Sequence, residues 1–319
     1  MIYLSSKLIG RQENVGPLVI LAALILLLSG CSIRSLAINS LADSLAASGD
    51  VFASDEDPDL IRDATPFALK TIETLLEEKP DHRQLLESAC SGFFGYGYAF
   101  VEVDAERLQD VDYAESERLY RRALGLYLRA RDYCFRSLEL GTPGIVDRLA
   151  TDPTQAVEVF KKEDVSLLFW TGASWGFAIS VGMDRPDLVA DVPAVQALMN
   201  RALELDEAFK QGAVHAALIS LNALPAEMGG SPDKARIHFE RAVELSEGLS
   251  AGPYVSLAES VVVAEQDWRE FEELLQTALA IDVDQMPADR LLNVVAQQRA
   301  RWLLDRIDHY FIDYPSDED

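Results

Sequence analysis

Positive charge is scarce in this chain: 28 Lys and Arg stand against 53 Asp and Glu, a net charge of −25 over 319 residues. A surface of that sign repels phosphate backbones and anionic headgroups, which excludes nucleic acid as a partner. Histidine is scarce too. His82, His215, His238 and His309 are scattered with no metal-ligand spacing, so no metal or other cofactor is expected, although His215 and His238 fall on adjacent helical segments. There are three cysteines and no CxxC pair. Glycine and proline number only 18 and 13, and no serine sits in a nucleophile elbow. The carboxylate pairs Glu77-Glu78 and Glu272-Glu273 are sequence neighbours, so they diverge around a helix instead of converging on a substrate. "DVDYAESE" lacks the central glycine of a calcium loop, and "MGG" at 228–230 is too short for a phosphate cradle and reads as a turn. Without a catalytic cluster, a non-enzymatic protein is expected. Long hydrophobic runs are absent as well: the one apolar stretch, Pro17 to Leu28, is about half the roughly twenty residues that a spanning helix needs.

What that stretch does resemble is the core of a secretory signal. Lys7 and Arg11 precede it, and it ends in Leu28-Ser29-Gly30-Cys31, small residues before a cysteine, similar to a bacterial lipobox. The resemblance implies diacylglyceryl transfer to the Cys31 thiol, cleavage before it, and acylation (palmitate or a similar chain) of the new amino group. An uncleaved anchor with an incidental cysteine is the alternative. Residues 1–30 are therefore expected to be a lipoprotein signal peptide and 31–319 the mature protein, lipid-anchored through Cys31 and exported to the periplasm. Several buried acyl chains hold firmly, each CH₂ contributing ~0.8 kcal/mol. Ser32, where an aspartate often marks retention at the inner membrane, leans towards the outer one. Cys90 and Cys134 then remain. An oxidising compartment permits a bridge between them, and two buried thiols fit the sequence equally well.

Beyond Cys31 apolar residues recur at three and four, as in Leu36, Leu41 and Leu45 or Leu291, Leu292 and Val295, and strand-like alternation is missing. Helix starts are readable at Ser231-Pro232-Asp233, Asp152-Pro153 and Asp187, and an extra helix is expected over Ser116–Arg129. A longer regularity overlies this one. A small or apolar residue, a large one four later and a small or apolar one three after that recur as Ala68-Ile72-Leu75, Ala130-Cys134-Ser137, Val195-Met199-Ala202, Ala235-Phe239-Ala242 and Phe271-Leu275-Ala278. Matching tails, "RSLEL", "RALELD", "RAVELS" and "TALAID", start 65, 40 and 36 residues apart. Self-similarity at such periods marks stacked helix pairs.

The small–large–small spacing resembles helix B of a tetratricopeptide repeat, where small residues let helices approach closely. Phe93, Tyr96, Gly97 and Phe100 in "SGFFGYGYAF" match the large-x-x-large-Gly-x-x-large pattern of helix A. Gly172, Trp175, Gly176 and Ile179 in "FWTGASWGFAIS" repeat it, with weaker copies at Gly212-His215-Ala216-Ile219 and Tyr254-Leu257-Ala258-Val261. The expected fold is all-α: a tetratricopeptide-like helical repeat, or α-solenoid, of about four to five helix pairs with long insertions, such as 104–112, 184–193 and 141–155. Gly97 and Gly176 are the expected helix crossings. Because Phe93, Tyr96 and Phe100 share one helical face while Phe94 and Tyr98 share another, these helices are either buried on both sides or line a cleft. Phe93, Phe94, Tyr96, Tyr98, Trp170 and Trp175 are the candidate ligand-cleft residues, with core packing as the competing role.

The ordered set of lipobox, "ALKTIETLLEEKPDH", "SGFFGYGYAFVE", "FWTGASWGFAIS", "LPAEMGGSPDKARIHFERAVELS" and "FEELLQTALAID" resembles the T-component lipoproteins of TRAP (tripartite ATP-independent periplasmic) transporters across the mature chain. The resemblance implies a periplasmic accessory protein that partners the transporter's solute-binding protein, a possible homotrimer, and a cavity continuing towards a small organic-acid or apolar-tailed ligand. A tetratricopeptide-like scaffold for envelope protein assembly, binding no small molecule, is the alternative function.

Overall fold

The computed structural model describes residues 40, 42–45 and 49–315. The chain partitions into Met1–Ser44 and Leu45–Asp319. In the first unit residues 40 and 42–44 are helical; the expected signal peptide and Cys31 lie outside the described residues. Everything below concerns the second unit.

Ten main helices run through it: α1 Pro58–Glu78, α2 Arg83–Tyr96, α3 Tyr113–Gly141, α4 Val165–Val181, α5 Val192–Leu205, α6 Ala213–Asn222, α7 Pro232–Leu245, α8 Gly252–Leu257, α9 Trp268–Ala280 and α10 Arg290–Leu304. No strand occurs among the described residues; the fold is all-α. The boundaries follow local chemistry. The Asp57 carboxylate accepts from the amides of Asp59 and Leu60 at the start of α1, with Pro58 at its first turn. Asp112, Ser231 and Asp267 cap α3, α7 and α9 in the same way, each satisfying amides that have no partner within the helix. Asp152 caps the short Pro153–Ala156 helix. Where Asp187 was expected to open a helix, Arg185 holds the cap position and Pro186 begins it. The extra helix expected at Ser116–Arg129 is the first part of α3, continuous with its Ala130-Cys134-Ser137 half, because no glycine–proline break or cap falls between them.

Neighbours in sequence are neighbours in space: α1 packs on α2, α2 on α3, α3 on α4, α4 on α5, α6 on α7 and α8 on α9. The small–large–small residues Ala130, Cys134, Ser137, Val195, Met199, Ala202, Phe271, Leu275 and Ala278 are all buried at these contacts. The weak third copy departs from expectation at Gly212. There φ is +90°, after two left-handed residues, Lys210 and Gln211, so Gly212 precedes α6 instead of lying within it. Only glycine takes such a φ without strain, and a β-carbon there would lie 3.1 Å from Leu245 and 3.3 Å from Ala242 of α7.

The array does not end in the open. α10 packs on α8 and α9, and its Leu291 and Val295 also cluster with Ile61 of α1 and with Ala99 and Phe100, bringing the last helix back to the first. Buried polar side chains fix α10 against α8 and α9. Asn293 exchanges hydrogen bonds with the backbone of Ala251 and Leu249, at 2.8 and 2.9 Å. The Gln297 amide donates to the carbonyls of Ala278, Leu279 and Ile281, satisfying acceptors left over at the end of α9.

Candidate functional site

Both helices that follow the aromatic/glycine pattern most closely were expected to carry the site, and they use their rings differently. In α2, Phe93 is buried and stacks on Tyr133, with the Arg129 guanidinium over its ring at 4.6 Å. Tyr96 packs against Phe100 and under Arg122. Phe94 sits in a ring cluster with Tyr98, Tyr127, Trp170 and Phe177, all at centroid distances of 5.3–5.9 Å. In α4, Trp175 is buried edge-on to Phe135 and donates its indole N–H to Asp191 at 3.2 Å. The structure thus gathers Phe94, Tyr98 and Trp170 into one cluster and sends Phe93, Tyr96 and Trp175 to separate packing sites. Gly97 faces Tyr127 of α3: a β-carbon there would lie 2.9 Å from its ring. At Gly176 a β-carbon would meet Val195 at 3.4 Å, an ordinary contact.

Past Tyr96 the helix changes register. Residues Gly97–Glu102 form a π-helical turn before α-geometry resumes at Val103–Arg107. A second π turn, Ala258–Val262, follows α8. Each π turn accommodates one extra residue and so rotates the side chains after it by roughly 100° about the axis. Between the two turns lies a cavity of about 90 Å³ lined by Tyr98, Glu102, Phe177, Ser220, Ser256, Glu259, Ser260 and Arg299. Four of the eight come from the π turns; α4, α6, α8 and α10 supply the rest. Of the six aromatic residues singled out in the sequence, Tyr98 alone lines it. A wider depression over 78–82 is a solvent-open notch made by a single turn.

The cavity wall is more polar than its aromatic approach. Arg299 anchors it. Its Nε donates to both carboxylate oxygens of Glu259 at 2.8 Å, and its Nη1 and Nη2 donate to Glu106 at 2.5 and 3.0 Å. Burial alone would depress the guanidinium, yet the Glu259 and Glu106 carboxylates hold it charged, well above its ordinary value. Burial pushes the Glu106 carboxyl up, against the pull of Arg299. Glu102 has no such cation in contact. Tyr127 donates its hydroxyl to Glu102 Oε2, and burial outweighs that bond and the more distant Arg299, moving the carboxyl up to about 7. Burial likewise raises the Tyr98 hydroxyl, and burial followed by Glu102 raises Tyr127 well beyond its usual range.

Glu102, Glu259 and Arg299 were not singled out by sequence reasoning. Two signals were present: Glu102 lies four residues after Tyr98 on the same helical face, and Glu259 interrupts the apolar run from Val255 to Val263. Nothing in the sequence marks a π turn.

Two further features stand apart from the cavity. His215 and His238 do meet, their Nδ1 atoms 2.8 Å apart, with His215 Nε2 3.3 Å from Glu207. Burial lowers both imidazoles, His238 to about 4. No group of three metal-ligating side chains occurs among the described residues. Of the two possibilities for Cys90 and Cys134 the structure has the bridge, joining α2 to α3 at a Cα–Cα distance of 5.4 Å. Among the described residues no helix is long and apolar enough to cross a membrane.

Comparison with known proteins gives this architecture a family. Residues 54–311 match the family described as TRAP transporter T-component. An uncharacterized protein of Treponema pallidum (strain Nichols) is 30% identical over 310 residues, covering 90% of this chain and 95% of its own length. The matched span runs from the turn before α1 to the end of the helical array, and so contains both π turns, the cavity and the disulfide. The chain belongs to the TRAP transporter T-component family.

Proposed function

We propose that the protein is a non-enzymatic, periplasmic accessory of a TRAP transporter, tethered through an acylated Cys31, that docks the transporter's solute-binding protein and offers its central cavity to a small ligand. The family match over 54–311 carries this reading. The cavity supports the ligand part, because helices from both ends of the array converge there and place charged and aromatic side chains around a space that a small molecule fills. Tyr98 and Phe177 form its aromatic wall; Phe94 packs against both, with Trp170 beyond it. The trimer implied by the family resemblance belongs to the same reading.

Co-purification from native membranes tests it. The expected result is enrichment of a TRAP solute-binding protein with the tagged full chain, and loss of membrane association for Cys31→Ser. Recovery of envelope-assembly proteins with no solute-binding protein would overturn the reading in favour of a scaffold.

A further inference from the structure

The cavity's charge arrangement narrows the ligand further than the family does. All three nitrogens of the Arg299 guanidinium face Glu106 or Glu259, at 2.5–3.0 Å, so its charge is already met by two carboxylates. A carboxylate ligand entering here finds no free cation and two acidic side chains in the wall, Glu102 and Glu259, with Glu106 beyond on Arg299. The groups that do lack partners point the other way. Glu102 Oε1 and the hydroxyls of Tyr98 and Ser256 make no hydrogen bond to any described residue, and all three residues line the cavity. These atoms are open to the solvent of the cavity, so a ligand that displaces this water must replace its hydrogen bonds. Beside them the Tyr98 and Phe177 rings meet edge to face at 5.1 Å, and both residues line the same space. A carboxylate oxygen, hydroxyl acceptors and aromatic faces together are the chemistry that recognises an ammonium group.

We infer that the cavity between the two π turns is a binding site for a small organic cation bearing an ammonium group, held by Glu102, Tyr98 and Ser256, and that it rejects carboxylates. The volume of about 90 Å³ corresponds to about three waters at roughly 30 Å³ each, which sets the ligand at a few heavy atoms. The π turns supply the purpose-built geometry, since such turns in α-helices recur at functional sites, and here each delivers one of the facing carboxylates, Glu102 and Glu259. Proton and ammonium compete for Glu102. The other titratable or charged groups facing it are Tyr120 and Tyr127 from α3, Glu106 and Tyr98 from its own helical segment, Glu259 from the opposite π turn and Arg299 from α10. With Glu102 titrating at about 7, roughly one tenth of sites are ionised at pH 6 and nine tenths at pH 8, so apparent affinity rises about ninefold across that interval.

This inference rests on the reading that the cavity receives a small ligand, not on which transporter the protein serves. Isothermal titration of the full chain, purified in detergent, tests it with three two-carbon probes that differ in charge: ethanolamine, ethylene glycol and glycolate. Ethanolamine is expected to bind at pH 8, to weaken about ninefold at pH 6, and to exceed both other probes by about tenfold or more. Glu102→Gln should remove the preference for ethanolamine and the pH dependence together. Ser256→Ala, a milder change on the opposite wall, should weaken ethanolamine about two- to fivefold with an unaltered melting curve. Glycolate or ethylene glycol binding as tightly as ethanolamine, ethanolamine binding that ignores Glu102→Gln, or no probe binding at all would overturn it. If co-purification with a solute-binding protein persists while ethanolamine fails, the ligand assignment falls and the transporter reading stands. Ethanolamine binding without co-purification separates them the other way.

Discussion

α2 and α4 carry the same sequence spacing and come to opposite ends. Phe93-Tyr96-Gly97-Phe100 and Gly172-Trp175-Gly176-Ile179 both present a glycine beside large side chains, and both helices are buried between neighbours. Yet α4 stays regular to Val181, and its interior polar residues turn inward on the helix: Thr171 donates to the Leu167 carbonyl at 2.6 Å and Ser174 to Thr171 at 3.1 Å. α2 instead breaks register at Gly97 and carries Tyr98 and Glu102 into a polar cavity. The difference teaches that the repeat motif specifies how closely helices pack, while one extra residue per turn decides whether a helix fills the core or opens it.

The largest test of that contrast is the staple that only α2 possesses. Cys90–Cys134 closes a 44-residue separation between α2 and α3, and constraining a loop of that length stabilises the fold by about 4 kcal/mol in the chain-entropy account. The double variant Cys90→Ala with Cys134→Ala should lose stability of that order in chemical denaturation. A loss under about 1 kcal/mol would show that packing alone holds the irregular helix as firmly as the regular one.

Glu102 is the next largest. Its folded pKa of about 7 lies above the ordinary carboxylate value of 4.5, so the stability linked to it is fully present below about pH 4.5 and is lost as pH rises through 7. Glu102→Gln removes that loss. Relative to wild type the variant should gain stability between pH 5 and pH 8, by up to roughly 3 kcal/mol, with the gain levelling off above pH 8. A difference between variant and wild type that stays flat across this range would mean that Glu102 is not held in a poorly hydrated site.

The glycines give a direct comparison of the two helices. A β-carbon at Gly97 meets the Tyr127 ring at 2.9 Å, and Tyr127 is fully buried and tied to Glu102, so it has nowhere to yield. Gly97→Leu should cost about 1–3 kcal/mol. At Gly176 the nearest atom is 3.4 Å away, so Gly176→Ala should be neutral or stabilising by up to about 1 kcal/mol, since alanine is the better helix former. Thermal melts of the two variants side by side would reverse the contrast if Gly176→Ala proved the more damaging.

How much of this the residues announced divides along the same line. The helices, their order and their tight crossings were legible because periodicity and small residues such as Ala130, Ala202 and Ala242 report packing, which is local and repeats. The continuity of α3 was missed because its repeat half, 130–137, invited a boundary that no cap residue supports. The π turns left no trace, since a one-residue insertion in a helix changes neither composition nor period over so short a span. Arg299 was illegible for a different reason. Its partners Glu106 and Glu259 lie 193 and 40 residues away, and only the return of α10 to the start of the array brings all three together. Tyr98 was found through its face, and Glu102, one helical turn further on, was hidden by the ordinary expectation that a glutamate is solvated.

The weak third copy of the motif supplies the smallest test. His215 stands where α2 has Tyr96 and α4 has Trp175, a polar ring in a large-residue position, and its Nδ1 faces that of His238 on α7. One ring must donate and the other accept, so at least one imidazole is neutral in the native pair. The surrounding charges are Glu207, Arg241 and Lys234; burial dominates them and lowers both rings, His238 to about 4. A histidine held below its unfolded value of 6.5 contributes stability present above pH 6.5 and lost as pH falls towards 4. His215 is buried but His238 is only partly so, and solvent screening at His238 reduces the effect to about 1 kcal/mol. His238→Gln should therefore flatten the acid limb of the stability profile between pH 6.5 and 4, while the Glu102-linked loss, which overlaps it and has the opposite sign, stays unchanged. If the acid limb is unchanged in His238→Gln, the pair contributes no pH dependence of its own. The third copy then behaves like α4, with His215 serving only to pack.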